Sequence, residues 1–273
     1  MNFDFTEEQK LFAESVRRFA ETNLKKDSLP RAHNPRFPLD VAKLMSQQGL
    51  MGITIPEADG GQGLVAILDQ VSAARQEGPA RIGQAVRDTK ETRIVCAVDL
   101  DAPGPVKIKT GVGFFDHMLE QIARHGQMDL KIAAKGDLQI DGHHTVEDTG
   151  WVLGQALYEA LGERRGITRF GYAYVPLDEA LSRVVIDLSG RPYLVYRAEF
   201  NVPRLGDLQT ELIEEFMKAF VQEGKFNLHI ENLYGRNQHH IAETIFKATA
   251  RALQMATRVT GDITEIPSTK GVL

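Results

Sequence analysis

Cysteine is almost missing from this chain: Cys96 stands alone in 273 residues. A single thiol can make neither an intrachain disulfide nor a cysteine-based zinc site, and that usage fits a reducing compartment. Long apolar runs are missing as well. No stretch approaches the roughly 20 residues that span a bilayer, and the opening MNFDFTEEQK is acidic and polar where a secretory signal would be basic and then apolar. Positive charge is in deficit, with 32 Lys and Arg against 37 Asp and Glu and a formal net charge of −5. A general nucleic-acid binder would carry a basic face, so that class is set aside, while local basic pockets for a phosphate stay open. Aromatic residues make up 7% and include one tryptophan. Trp151 and the Phe114–Phe115 pair are read as core residues with no role in chemistry. The expectation is a cytoplasmic protein without nucleic-acid or membrane partners, long enough for one large domain or two smaller ones.

Two textures divide the chain. Residues 1–77 read as a small all-helical segment. Thr6 with Gln9 makes a capping box, Leu11, Phe12, Val16 and Phe19 share one helical face, and Pro38 suits the first turn of a second helix. Residues 78–84, rich in Gly and Pro at their start, read as a linker, and residues 85–273 as an α/β (α+β) domain. Strands are expected at ETRIVCAVDL, PVKIKTGV, MDLKIAAKG, LQID, GYAYVPL, LSRVVIDLS, YLVYRAEF and FNLHIENL. Helices are expected at FFDHMLEQIARHG, EDTGWVLGQALYEALG, LQTELIEEFMKAFVQEG and HHIAETIFKATARALQMA. The order helix, Gly, strand, loop, HHxxE helix occurs twice, in EQIARHGQMDLKI…HHTVEDTGWVLGQAL and KAFVQEGKFNLHI…HHIAETIFKATARAL. That repetition predicts an internal duplication: two similar sheet-plus-helix halves and a pseudo-symmetric site.

The repeated doublets carry the chemical signal. His143–His144–x–x–Glu147 and His239–His240–x–x–Glu243 have one spacing. On a helix, i and i+4 share a face, so His143 can converge with Glu147 and His239 with Glu243 on a metal ion. His144 and His240 point about 100° away. Each could serve the other ion if the two copies face each other, within one chain or between chains. His117 and His229, one in each half, complete a set of six imidazoles and two carboxylates for two ions. Such a mix with open positions favours octahedral manganese, iron or cobalt over closed tetrahedral zinc. Arg169 in GITRFG, Arg191 in DLSGRP, and Ser268, Thr269 and Lys270 near the C-terminus are donors suited to a phosphate. Glu91 and Asp148 are candidate acid/base groups.

Residues 81–273 resemble the imidazoleglycerol-phosphate dehydratase family. The resemblance rests on RDTKET, TGVGFFDHMLEQIARHG, HHTVEDTG, RRGITRFG, DLSGRP, GRNQHHIAETIFKATARAL and STKGVL, in order. It implies loss of water from imidazole glycerol phosphate to give imidazole acetol phosphate in histidine biosynthesis. It also implies two manganese ions per active site and a homo-oligomer of twenty-four subunits built from trimers, with sites between subunits. The metal ligands it carries over are His117, His143, His144, Glu147, His229, His239, His240 and Glu243. Its substrate contacts are Glu91, Gln121, His125, Arg169, Arg191, Ser268, Thr269 and Lys270. Catalysis is expected at Glu91, the proton-transfer group, together with His117, His143, His144, Glu147, His239 and Glu243.

FDFTEEQKLFAESVRRFAETNL and GLMGITIPEADGGQGL resemble instead the N-terminal helical segment of acyl-CoA dehydrogenases. The flavin-binding remainder of that family has no room here, so flavin chemistry is rejected. Two rivals share the metal signal: a di-metal hydrolase of a phosphorylated small molecule, and a catalytically inactive assembly module held by metal.

Overall fold

The computed structural model describes Arg17, residues 81–102, Gly104 and residues 106–273. The chain divides into two units, Met1–Glu77 and Gly78–Leu273. The capping box of Thr6 and Gln9, the face of Leu11, Phe12, Val16 and Phe19, and Pro38 lie outside the described residues.

The second unit is built twice from one plan. In the first half, β1 (Ile82–Asp88) and β2 (Thr92–Asp99) form an antiparallel hairpin. β3 (Lys107–Lys109), helix α1 (Gly113–Gly126) and β4 (Asp129–Gly136) follow as a parallel crossover, and α2 (His143–Leu161) closes the half. The second half repeats this order with β5 (Phe170–Leu177), β6 (Ala180–Asp187) and β7 (Tyr193–Arg197). A small hairpin is inserted next, β8 (Arg204–Leu205) with β9 (Leu208–Gln209). Helix α3 (Leu212–Gly224), β10 (Asn227–Tyr234) and α4 (Gln238–Thr257) complete it. The sheet orders match, β1-β2-β4-β3 and β5-β6-β10-β7. The expected duplication is thus a duplication of topology.

The alternation of β2 explains where its sheet packs: Thr92, Ile94, Cys96 and Val98 face inward and the residues between them outward. Helix α2 lies on β1 and β2, α4 on β5 and β6, and the helices of the two halves pack on each other as α1 with α4 and α2 with α3. A single core joins both halves. Phe216 of α3, fully buried, meets Phe115 of α1, Phe220 of its own helix and Phe246 of α4 at ring-centroid distances of 5.2, 5.9 and 5.7 Å. Burying one such ring stabilises by roughly 1.5–3 kcal/mol. The other face of each sheet carries no packed helix among the described residues and is apolar in part, with Ile82, Val86 and Val95 exposed on the first and Phe170, Tyr172, Tyr174 and Val185 on the second. No helix among the described residues is long and apolar enough to cross a membrane.

One glycine position shows how closely the halves correspond. A Cβ on Gly83 of β1 would meet the Ala156 carbonyl of α2 at 1.9 Å, and one on Gly171 of β5 would meet the Ala252 carbonyl of α4 at 2.0 Å. Each hairpin therefore touches its helix backbone to backbone, a contact that only a missing side chain permits.

Three local expectations need correction. Residues 82–84 are not linker, because β1 begins at Ile82; its inward residues Gly83 and Ala85 are too small to write a hydrophobic alternation. LQID is a turn, with Leu138 and Ile140 exposed. The helix expected from Leu208 begins at Leu212, since Leu208–Gln209 pair with Arg204–Leu205. That inserted hairpin has a purpose at the site. Val112, the cap of α1, supplies no side-chain acceptor, and Asp207 at the hairpin tip accepts from the Gly113 and Phe114 N–H groups at 2.6 and 2.9 Å. The second half thereby caps the helix of the first that carries His117.

Candidate active site

Both doublets sit at helix starts. His143 opens α2, and His239 is the second residue of α4, whose N-cap Asn237 accepts from the His239 N–H at 3.0 Å. Helical geometry then sorts the four rings into two kinds. The first histidine of each doublet turns Nε2 toward its own glutamate, His143 to Glu147 at 3.6 Å and His239 to Glu243 at 2.9 Å. The second stands nearly perpendicular to it, at 82° for His144 and 85° for His240, and its Nδ1 meets a different carboxylate. His144 Nδ1 lies 3.0 Å from Asp137 at the end of β4, and His240 Nδ1 lies 2.8 Å from Glu179 before β6. The hydrogen bond to Asp137 raises the pKa of His144 above its ordinary value. Hydrogen bonds from the Asn237 backbone, His240 and the Arg236 backbone hold Glu179 at about 2.

His117 joins the second doublet. Its Nε2 is 3.7 Å from Glu243, and His117, His239 and Glu243 place three ligand atoms within 4.8 Å of one another, the one such group among the described residues. Phe114, expected as plain core, lies edge-on to His239 at 5.1 Å and walls this group on one side. On α1 the residues one and two turns beyond His117 share its face: Gln121, buried, donates to the His117 carbonyl, and His125 is half-buried. Across from them α4 presents Glu243, Lys247 and Arg251 at the same spacing. Lys247 pairs with Glu243 at 2.6 Å. Burial opposes charge on Glu243, but the hydrogen bonds from Lys247 and His239 outweigh it and keep its pKa low. Burial, then Lys247 and Arg251, lower that of His125 below its ordinary value, against an opposing pull from Glu243.

Glu91, at the turn between β1 and β2, points toward His144 with 4.0 Å between Oε2 and Nε2. Asp148 does not stand beside it as a second acid/base group. It is buried, ion-paired to Arg87 at 2.6 Å and bonded to Thr92 at 2.5 Å, and so straps the hairpin that carries Glu91 to α2. Trp151 lies beneath the Arg87 guanidinium at 4.7 Å.

His229 is not gathered with the others. It faces outward from β10 into an open groove on the bare side of the second sheet, among Tyr172, Tyr174, Arg183 and Glu231. Arg169 has a positive φ of 69° and is fastened to Asp187 at 2.7 Å and to the Pro267 carbonyl at 2.9 Å. It thus anchors the turn of Ser268, Thr269 and Lys270, in which the Lys270 N–H donates to Ser268 Oγ. Arg191 is exposed, at the turn between β6 and β7.

Sequence reading missed Asp137, Glu179 and Lys247. Lys247 was visible as one helical turn beyond Glu243. Glu179 was visible through the duplication: Glu91 follows Gly83, and Glu179 follows Gly171, by the same eight residues. Asp137 has no such signal, because it lies in a turn read as the approach to a strand.

Fold and site define a duplicated α/β domain whose halves join to build histidine–carboxylate clusters at helix starts. Residues 110–253, more than half the chain, match the family model of imidazoleglycerol-phosphate dehydratase. A relative of that description from Magnetococcus marinus is 57% identical over 195 residues, covering 71% of this chain and 98% of its own. One from Thiobacillus denitrificans is 58% identical over 196 residues, covering 71% and 100%. The crystal structure of the dehydratase from Staphylococcus aureus superposes with a TM-score of 0.60 at 41% identity over 66% of this chain and 99% of that one. The chain belongs to the imidazoleglycerol-phosphate dehydratase family, hydro-lyases of histidine biosynthesis. Residues 6–92 also match the acyl-CoA dehydrogenase N-terminal domain. The end of that match runs into β1, which here belongs to the first sheet.

Proposed function

We propose that the chain dehydrates D-erythro-imidazole glycerol phosphate to imidazole acetol phosphate, with two manganese ions per active site. The observation that carries this reading is the meeting of His117 from one half with His239 and Glu243 from the other, three ligand atoms within 4.8 Å. Two imidazole nitrogens and a carboxylate oxygen are a donor set that manganese accepts, with coordination positions left for further ligands. His143 and Glu147, with His144, His229 and His240, would supply the rest. When bound, the ions supply Lewis acidity to the ring nitrogens of the substrate.

The chain's own groups do the remainder. Glu91 takes the proton from the carbon next to the one that loses its hydroxyl. One C–H and one C–O bond break, water leaves, and the resulting enol becomes the ketone. Arg169, Arg191, Ser268, Thr269 and Lys270 hold the phosphate, and binding there supplies the orientation that the reacting carbons need. Gln121 and His125 line the approach along α1. His229 stands on the bare sheet face, away from the three-ligand group, which supports a site completed by a second copy of the chain. A homo-oligomer of twenty-four subunits built from trimers, in the cytoplasm, is the assembly proposed. A product assay tests the reading. The ketone should form without free phosphate; inorganic phosphate without ketone would mark a hydrolase, and no turnover an inactive metal-held module.

A further inference from the structure

The two second histidines, His144 and His240, do not present themselves in the way their neighbours do. A carboxylate at neutral pH has no proton to give, so a contact between it and an imidazole nitrogen requires that nitrogen to carry the hydrogen. Asp137 therefore places the proton of His144 on Nδ1, and Glu179 does the same for His240. In a neutral ring the lone pair is then on Nε2. For His240 a second contact agrees. Asn237 spends its Oδ1 on the His239 N–H, so its Nδ2 is the group 3.4 Å from His240 Nε2, and that nitrogen must accept. Both carboxylates are themselves held in place. Glu179 accepts from the Arg236 and Asn237 N–H groups at 2.9 and 2.6 Å, and the Asp137 side chain is only 12% exposed.

The duplication makes this arrangement informative. Glu91 and Glu179 occupy one position in the two hairpins, each eight residues after the glycine that touches the helix. Only Glu179 reaches Nδ1 of its doublet. In the first half Asp137 has taken that place, and Glu91 faces Nε2 at 4.0 Å with its side chain 55% exposed, where in the second half Asp178 stands 4.0 Å from His240 Nε2. We propose that Asp137 and Glu179 are positioning residues that fix the tautomer of His144 and His240 and so present Nε2 to the metal. Asp137 thereby releases Glu91, the counterpart of Glu179, to face the substrate. This rests on the metal reading above.

Manganese titration of the full chain, followed by the EPR signal of free ion, separates the two. Wild type that binds no manganese would sink the metal reading itself. With wild type binding, Asp137→Asn and Glu179→Gln should each weaken manganese by about 10–100-fold, while the metal-free proteins melt as wild type does. Glu91→Gln should bind manganese as wild type does. Should either amide variant fail to fold, Asp137→Glu and Glu179→Asp keep a carboxylate at a shifted distance and should weaken binding to a lesser degree. Unchanged affinity in folded variants at both positions, or equal loss in Glu91→Gln, would overturn the proposal.

Discussion

The two halves share a topology, a sheet order, an HHxxE helix start and a glycine pressed against a helix carbonyl, and yet differ in the carboxylate of one hairpin turn. In the second half Glu179 is bound to His240 and to two backbone N–H groups; in the first half Glu91 is exposed and Asp137 holds His144. What the halves keep is backbone geometry and the histidines that geometry aims. What they change is which carboxylate is tied down. A duplicated frame can thus repeat one helix start twice and still leave one carboxylate of the pair exposed.

The sharpest way to break this comparison is at the free carboxylate. Glu91→Gln should lower kcat by about 10²–10⁴, the range for loss of a proton-transfer group, with KM and bound metal little changed. Steady-state kinetics with metal analysis would show it. A loss confined to KM would return Glu91 to a binding role.

Much of the shared frame, though not this contrast, is legible in the sequence alone. The doublets, their i+4 glutamates and the strand–helix order follow from local periodicity, and the repeated motif supplied the two halves. What escaped depends on contacts distant in sequence. β1 was missed because Gly83 and Ala85, its inward residues, are small for the very reason that a helix backbone lies against them. Asp148 looked like a second acid beside Glu147, but its partner Arg87 lies sixty-one residues earlier. The separation of His229 from the three-ligand group depends on which sheet face it occupies, and a doublet spacing says nothing of that.

A second test separates phosphate grip from metal binding. Lys270→Ala should raise KM about tenfold, near 1.4 kcal/mol, and leave metal content unchanged. Metal loss in that variant would mean that the C-terminal turn supports the ligand clusters themselves.

The link between the halves can be probed at Asp207. Burial works against its charge, but hydrogen bonds from Phe114 and Gly113 outweigh it and lower its pKa. A carboxyl lowered on folding stabilises above its unfolded pKa, and that contribution is lost as pH falls through the folded value. Asp207→Ala should therefore cost about 1 kcal/mol at pH 7, the worth of a helix cap, and the difference from wild type should shrink on acidification through the carboxylate range. Denaturant unfolding at a series of pH values would measure it. A pH-independent difference would assign the loss to packing.

The smallest effect is expected from the region outside both halves. Every residue assigned to chemistry lies at or after Glu91, and β1 begins at Ile82. Deleting residues 1–79 should leave kcat and KM within a factor of about three, less than 1 kcal/mol. A truncated protein that binds metal and yet loses most of its turnover would mean that the N-terminal segment has become part of the working enzyme.

The proposed dehydration requires metal held by the imidazole–carboxylate groups at the two helix starts. The direct measurement strips the protein of metal, verifies this by elemental analysis, and follows ketone formation from imidazole glycerol phosphate as single divalent ions are returned. Turnover should be absent from the stripped protein and restored best by manganese, at two ions per active site. Full turnover in verified metal-free protein would mean that the dehydration does not depend on metal.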